Sequence, residues 1–225
     1  MCRMFGMVAD RPITPRELLH EAPRSLRALS REHPDGWGIA VHDGTWTVER
    51  GTNSAHACER FAAIGDRAAT IVIAHVRKAT VGPIALANTH PFRRGDLVFA
   101  HNGTVKDAGA LRVAPEHAAA IEGDTDSERL FAFVRTHVDA AGDLARGVAA
   151  AVRALHALPD PGSANFLLSC GRRLFAHRLG RSLYVLDRSG ATLVASEPLT
   201  DEPWTELPER SLLELEPGCR SALAA

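Results

Sequence analysis

Leu97-Val98-Phe99-Ala100-His101-Asn102-Gly103 is the stretch of sequence that decides the fold. It is an apolar run that passes directly into polar and small residues, which is typical of a buried strand that ends at a site. The earlier run Ala69-Thr70-Ile71-Val72-Ile73-Ala74-His75 has the same character and is followed by Val76-Arg77-Lys78. We therefore expect two buried strands, each ending in a polar motif.

The predicted elements change in character along the chain. Cys2 to Ala9 is a further predicted strand, ended by a turn at Asp10-Arg11-Pro12, and Asp43-Gly44 predicts a type I′ hairpin turn. Other strands are predicted at 37–42, 45–50, 165–169, 173–177, 182–186, 191–195 and 211–215, the last five as an antiparallel meander. Helices are predicted from Thr14 with an interruption at Pro23, and at 55–64, 125–134 and 140–158. Strands, then helices, then strands indicate an α+β fold.

The composition excludes several classes of protein. With 225 residues, 45% of them hydrophobic, we expect one domain spanning 1–225. Lys+Arg 26 against Asp+Glu 27 gives a net charge of -1, which disfavours a nucleic-acid partner. No apolar run is long enough to span a membrane and no signal peptide begins the chain, so we expect a cytoplasmic protein without a membrane partner. The four cysteines form no Cys-x-x-Cys pair, which favours free thiols over a disulfide framework or a zinc site.

Cys2 directly follows the initiator methionine. Removal of Met1 would leave a thiol and a free α-amine on one residue. Because the reference pKa of an α-amine is about 7.7–8.0 and that of a thiol about 8.5, the amine could accept the thiol proton without a histidine partner. A cysteine at position 2 is more often accidental than catalytic, so the prediction depends on further motifs.

Those motifs occur in a fixed order along the chain. They are His33-Pro34-Asp35-Gly36-Trp37-Gly38, His75-Val76-Arg77-Lys78-Ala79-Thr80, Asn88-Thr89-His90-Pro91-Phe92, Ala100-His101-Asn102-Gly103 and Gly123-Asp124-Thr125-Asp126. Together with Cys2 they resemble the class II glutamine amidotransferases, and most of all their small stand-alone, YafJ-like members. The resemblance implies the αββα sandwich of N-terminal-nucleophile hydrolases, with two antiparallel sheets.

The resemblance also implies a reaction and a set of catalytic residues. Cys2 would attack the γ-amide carbon of glutamine and form a γ-glutamyl thioester, which water then hydrolyses. Asn102 and the backbone N–H of Gly103 match the family's oxyanion hole. No cofactor is implied. We assign Asp35-Gly36-Trp37-Gly38 to the shaping of a loop near the site, without a catalytic atom.

Recognition of glutamine needs partners for a carboxylate and for an ammonium group. Arg77 matches the arginine that binds the α-carboxylate in the family, because a guanidinium offers two parallel donors. Asp126 matches the acid that binds the α-ammonium, and Thr80 matches a threonine that adds a hydroxyl contact. Lys78 departs from the tryptophan of the sugar-utilising members, so their lid and channel are not transferred to this chain.

Other interpretations of the same residues stay open. Arg77 alone would more often be a surface ion-pair residue, and Asp126 a charge at a helix terminus. The 11 histidines lack the spacing of a metal site, and we predict no metal. Three functions remain: a glutaminase that supplies ammonia to a synthetase on a separate chain, a hydrolase of γ-glutamyl amides or peptides in thiol metabolism, and a non-catalytic glutamine-binding regulatory subunit.

Overall fold

Two antiparallel sheets form the centre of the protein, as seen in a computed structural model that describes residues 2–224. The expected removal of Met1 concerns a residue outside this range. In spatial order the first sheet contains β11 (Thr205–Glu206), β9 (Tyr184–Arg188), β10 (Ala191–Ala195), β1 (Arg3–Ile13), β4 (Ala69–Val76), β2 (Trp37–Asp43) and β3 (Thr45–Gly51). The second contains β13 (Cys219–Ala222), β12 (Leu212–Glu216), β8 (Leu174–His177), β7 (Gly162–Ser169), β6 (Leu97–Val105) and β5 (Phe92–Arg94).

Helices cover the outer face of each sheet. The α-helices are α1 (Leu26–Leu29), α2 (Glu59–Gly65), α3 (Pro115–Ala118), α4 (Asp126–Ala141) and α5 (Leu144–His156). Single turns of π-helix or 3-10 helix occur at Glu17–Glu21, Ala55–Ala57, Leu86–Asn88 and Ala108–Ala110. None of the helices within residues 2–224 combines the length and apolarity that a membrane crossing requires.

The side-chain alternation of the central strands explains the four layers. In β1, Phe5 is buried with Phe61 of α2 on the outer face, whereas Met4 is buried in the core between the sheets. In β6, Val98 lies in the core between the sheets, while Phe99 stacks on Phe131 of α4 with ring centroids 4.9 Å apart. Because successive residues of a strand face opposite sides, each apolar run fills two cores. The expected α+β architecture, an αββα sandwich, is confirmed.

Two local predictions at the start of the chain are wrong. β1 does not turn at Asp10-Arg11-Pro12 but continues to Ile13, with an irregular register against β4 after Val8. The hairpin at Asp43-Gly44 forms, but only Gly44 has a positive φ, at 79°, so the turn is not the type I′ turn that needs two such residues.

The strands of the last third do not form one meander. β7, β8 and β12 belong to the second sheet, whereas β9 and β10 extend the first. Each strand is apolar enough to be found from sequence, but its sheet depends on packing between distant segments. The early helix is also shorter than predicted: it is reduced to the π turn and α1, and the chain leaves helical geometry around Pro23, as expected.

Candidate active site

One cavity collects most of the residues that the sequence singled out. It is lined by five of the six predicted site residues, namely Cys2, Arg77, Thr80, Gly103 and Asp126. The sixth, Asn102, is buried beside Gly103 on β6 and is not part of the lining. The other lining residues are Lys78, Val81, Asn88, His90, His101, Thr125 and Ser127. The ends of β1, β4 and β6 and the first turn of α4 thus converge on one place.

Cys2 lies just before β1 and is partly buried. Its Sγ is 3.6 Å from the carbonyl oxygen of Lys78, which immediately follows Arg77 at the end of β4. Burial raises the pKa of the thiol, and the positive charges of Arg77 and Arg3 oppose that rise. The thiol therefore depends on a nearby base to become a thiolate.

The Asp35-Gly36-Trp37-Gly38 motif shapes the segment that carries Arg77. The backbone N–H of Arg77 donates to the Gly36 carbonyl at 2.7 Å, and the N–H of Asp35 donates to the Arg77 carbonyl at 3.0 Å. The Asp35 carboxylate also accepts the N–H of Ala79 at 2.8 Å. These bonds fix the backbone of Arg77 and Ala79. The motif therefore positions the wall of the cavity, although none of its residues lines the cavity.

The guanidinium of Arg77 is buried, with only 3% of the residue exposed. It donates to the carbonyl oxygens of Val81, Gly82 and Pro83 at 2.9, 3.3 and 3.1 Å. Within residues 2–224, no carboxylate lies within 4.0 Å of it. A buried cation without a counter-ion is costly, so this position is suited to an anionic ligand.

Asp126 faces the same cavity with the opposite charge. It is the first residue of α4, where the helix dipole favours an anion, and its Oδ2 accepts the N–H of Val105 at 2.7 Å. No Lys, Arg or His nitrogen of the described part of the chain lies within 4.0 Å of its carboxylate. Arg77 and Asp126 thus present one unpaired charge each to a shared space.

Strand register directs the N–H of Gly103 away from β7. Gly103 is opposite Ala164 in the pairing of β6 with β7. The N–H of Ala164 donates to the carbonyl oxygen of Leu179 at 2.8 Å, so it points away from β6. The pair is therefore of the non-hydrogen-bonded kind, and the N–H of Gly103 points to the side of β6 on which Val105 binds Asp126. A Cβ at Gly103 would lie 2.1 Å from the Ser163 carbonyl oxygen, so only glycine fits here.

Asn102 occupies the other face of β6. It follows Val98 and Ala100 at intervals of two residues, and these face the core between the sheets. The residue is 5% exposed, and its side-chain amide makes no hydrogen bond to another residue of the range 2–224. We predicted Asn102-Gly103 at the end of the strand; it lies inside β6, which continues to Val105.

Asn88 is a site residue for which the sequence motifs predict no role. It is 1% exposed, its Nδ2 donates to the Pro83 carbonyl at 3.1 Å, and its Oδ1 accepts the N–H of Asp124 at 2.9 Å. It therefore joins the loop that holds Arg77 to the loop that precedes Asp126. The signal was present in the motif Asn88-Thr89-His90-Pro91-Phe92, but only the folded chain shows what the amide connects.

Three buried histidines lie beside the cavity. His90 and His75 have ring centroids 4.4 Å apart, and burial lowers the pKa of His75 to about 3 and that of His90 well below its usual value. His101 Nδ1 is 2.8 Å from the Ser127 hydroxyl, and its Nε2 is 3.3 Å from the Ser163 carbonyl. Within residues 2–224, no three His, Cys, Asp or Glu side chains are arranged to hold a metal ion.

Comparison with known proteins identifies the family. The family model for class II glutamine amidotransferases matches residues 1–190. A γ-glutamyl-hercynylcysteine sulfoxide hydrolase from Mycobacterium tuberculosis is 33% identical, over 96% of this chain and 93% of that protein. The putative glutamine amidotransferase YafJ from Escherichia coli is 30% identical over 79% of this chain and 72% of its own length. A glutamine aminotransferase class-II domain protein from Silicibacter pomeroyi has the same fold, with a TM-score of 0.72, 21% identity and coverage of 99% and 98%.

This chain therefore belongs to the class II glutamine amidotransferase family. It is an enzyme with hydrolase or amidotransferase activity.

Proposed function

From this family membership, we propose that the enzyme hydrolyses the γ-amide of glutamine or of a γ-glutamyl compound, with Cys2 as the nucleophile. One observation carries the proposal: Arg77 and Asp126 line the cavity of Cys2 and hold opposite charges that no described residue neutralises. A free α-amino acid head has this pair of charges. We call the part of the cavity lined by Arg77, Asn88 and Asp126 the head pocket.

In the head pocket, the substrate α-carboxylate would bind Arg77. Three of the five guanidinium N–H groups donate to the carbonyls of Val81, Gly82 and Pro83, which leaves Nε–H and one N–H on Nη1. These two point to different sides of the guanidinium, so the carboxylate would accept from one of them and not from a parallel pair. The α-ammonium would bind the Oδ1 oxygen of Asp126, since its Oδ2 already accepts from Val105. Thr80, exposed at the cavity wall, would add a hydroxyl contact.

The chemistry would start with the free α-amine that removal of Met1 gives to Cys2. This amine takes the thiol proton, and Sγ attacks the δ-carbon of the substrate. The N–H of Gly103 and the amide of Asn102 then stabilise the oxyanion. The C–N bond breaks as the α-amine returns the proton to the leaving nitrogen, and a water molecule afterwards hydrolyses the thioester to glutamate.

Two physiological uses are compatible with this chemistry. In one, glutamine is the substrate and the released ammonia is used by a synthetase on a separate chain. In the other, a γ-glutamyl amide or peptide is the substrate and its hydrolysis is the purpose. The relative at 33% identity over nearly the whole of both chains is named as a γ-glutamyl-hercynylcysteine sulfoxide hydrolase, and this favours the second use.

The test combines processing and activity. Mass spectrometry of the protein from its native host should show loss of Met1, and Cys2→Ala should abolish release of glutamate from glutamine and from a panel of γ-glutamyl peptides. Cys58→Ala is the matched control, because this half-buried thiol packs on the outer core and should be dispensable. A glutamine-like diazoketone should label Cys2.

Three results would contradict the proposal. A chain that keeps Met1 and is active has no free α-amine on Cys2. Unchanged turnover in Cys2→Ala would assign the reaction to another nucleophile. Glutamine binding without turnover or labelling of the wild-type chain would support a regulatory subunit instead.

A further inference from the structure

The two neighbours Arg77 and Lys78 point to different environments. Arg77 is buried in the head pocket, whereas Lys78 is exposed although it lines the same cavity. The carbonyl oxygen of Lys78 is 3.6 Å from Sγ of Cys2, so this residue lies beside the proposed reacting sulfur. A substrate whose head is bound at Arg77 would place its leaving group away from that buried end, on the open side where Lys78 is found.

The ammonium of Lys78 has no ion-pair partner in the described part of the chain. Lys106, the one other lysine in the sequence, pairs with Asp160 at 2.8 Å. No carboxylate of residues 2–224 comes within 4.0 Å of Lys78 Nζ. The charge of this exposed, cavity-lining residue is therefore available to a ligand.

The surroundings of Lys78 carry an excess of positive charge. Arg3 and Arg24 share one carboxylate, that of Glu197. His33 is buried close by, and its pKa falls to about 4 because of burial first and then because of the charges of Arg3 and Lys78. The carboxylate of Asp35, which accepts the N–H of Ala79, also lies next to Lys78. We call Lys78, Arg3, Arg24, Glu197 and Asp35 the rim; it has three positive charges and two negative charges.

We propose that Lys78 forms a leaving-group subsite that selects γ-glutamyl amides whose amine portion carries a carboxylate or a similar anion. The inference rests on the proposed function, and it names the substrate class of that site: γ-glutamyl amino acids and peptides are preferred to glutamine. The reaction is unchanged, since the γ-amide C–N bond breaks and the amine leaves with the proton from the α-amine of Cys2.

The test uses two compounds that differ in one charge, γ-glutamylglycine and γ-glutamylglycinamide. Lys78→Met should lower kcat/KM for γ-glutamylglycine about fivefold, which is the upper range for an exposed ion pair. The value for γ-glutamylglycinamide should change less than about twofold. Lys106→Met removes the same charge elsewhere and should change neither.

Raising the salt from about 20 mM to about 500 mM should reduce the wild-type preference for the anionic compound, because salt screens exposed charges.

The outcomes separate the inference from the function on which it rests. An equal effect of Lys78→Met on both compounds, or no effect on either, would overturn the inference while hydrolysis itself upholds the proposed function. A wild-type enzyme that hydrolyses neither γ-glutamyl compound nor glutamine would overturn the proposed function and the inference with it.

Discussion

The head pocket and the rim hold positive charge in different ways. In the head pocket, three backbone carbonyls fix the guanidinium of Arg77, and Asn88 ties the loop that supplies all three to the loop before Asp126. In the rim, Lys78 has an exposed side chain without an ion-pair partner in residues 2–224. A buried, fixed charge discriminates strongly, whereas an exposed, mobile charge contributes a small and salt-dependent preference. We therefore expect the head pocket to require the γ-glutamyl head, and the rim to favour anionic leaving groups over neutral ones.

The largest expected effect tests the fixed charge. Arg77→Met should reduce kcat/KM about 10³-fold for every γ-glutamyl substrate, because removing one partner of a buried charge pair costs roughly 2–5 kcal/mol. Steady-state kinetics on glutamine and γ-glutamylglycine would measure it. Arg50→Met is the control, since Arg50 donates to the carbonyls of Leu86 and Thr89 but does not line the cavity. Equal losses in both variants would mean that Arg77 only supports the loop.

The next effect separates two asparagines that are opposite each other in the second sheet. Asn102→Ala should lower kcat about 10²-fold with little change in KM or Tm, because a lost oxyanion donor costs about 2.7–4 kcal/mol in the barrier. Asn165→Ala should instead lower Tm, because its amide bonds the backbone of Leu179, Arg181 and Ser182. A normal kcat in Asn102→Ala would remove this residue from the oxyanion hole.

A smaller effect concerns the pH dependence of the free energy of unfolding, to which the buried His75 contributes. Burial lowers the pKa of His75 to about 3, so between about pH 6.5 and pH 3 the unfolded chain binds a proton that the folded chain does not. The free energy of unfolding should therefore fall through this histidine as the pH is lowered from 6.5, by roughly 1 kcal/mol per pH unit. Denaturant unfolding of wild type and His75→Phe between pH 6.5 and 5 would measure the difference in slope, and parallel curves would refute it.

The smallest effect tests the link between the two loops of the head pocket. Asn88→Ala should raise KM about threefold to tenfold with a smaller change in kcat, since Arg77 and Asp126 keep their own bonds but lose the amide that joins their loops. Asn88→Asp keeps the acceptor for Asp124 but places a buried carboxylate oxygen against the Pro83 carbonyl, so it should not recover the affinity. A pure loss of kcat would place Asn88 in the chemical step instead.

The strands were predictable where both of their faces are buried. β4 and β6 each fill the core between the sheets and one outer core, so their apolar runs have few polar interruptions. Of the seven strands that the structure describes after Pro161, five were also predicted, but β11 and β13 were missed, and the division between two sheets was not predicted. The hydrophobic period and the β-propensity of a segment indicate which of its faces are buried, but they do not indicate which strands pair with it.

The site residues were predictable from motifs, but their relations were not. The sequence pointed to Arg77 as a carboxylate ligand, yet its three carbonyl bonds depend on a glycine-containing loop that folds back over it. Asn88 went without a role because its two partners, Pro83 and Asp124, are distant from each other in sequence. Which of these residues act in the reaction remains a prediction that the variants above test.

The register of β6 has a consequence for the length of the substrate. Val105 and Gly103 lie two residues apart, so their N–H groups point to the same side of the strand with a spacing of about 6.8 Å. The first N–H holds the carboxylate proposed to bind the α-ammonium, and the second is the proposed donor to the carbonyl oxygen of the scissile amide. The strand thus sets the span between the two ends of the substrate side chain, and asparagine, one methylene shorter, would reach only one of them.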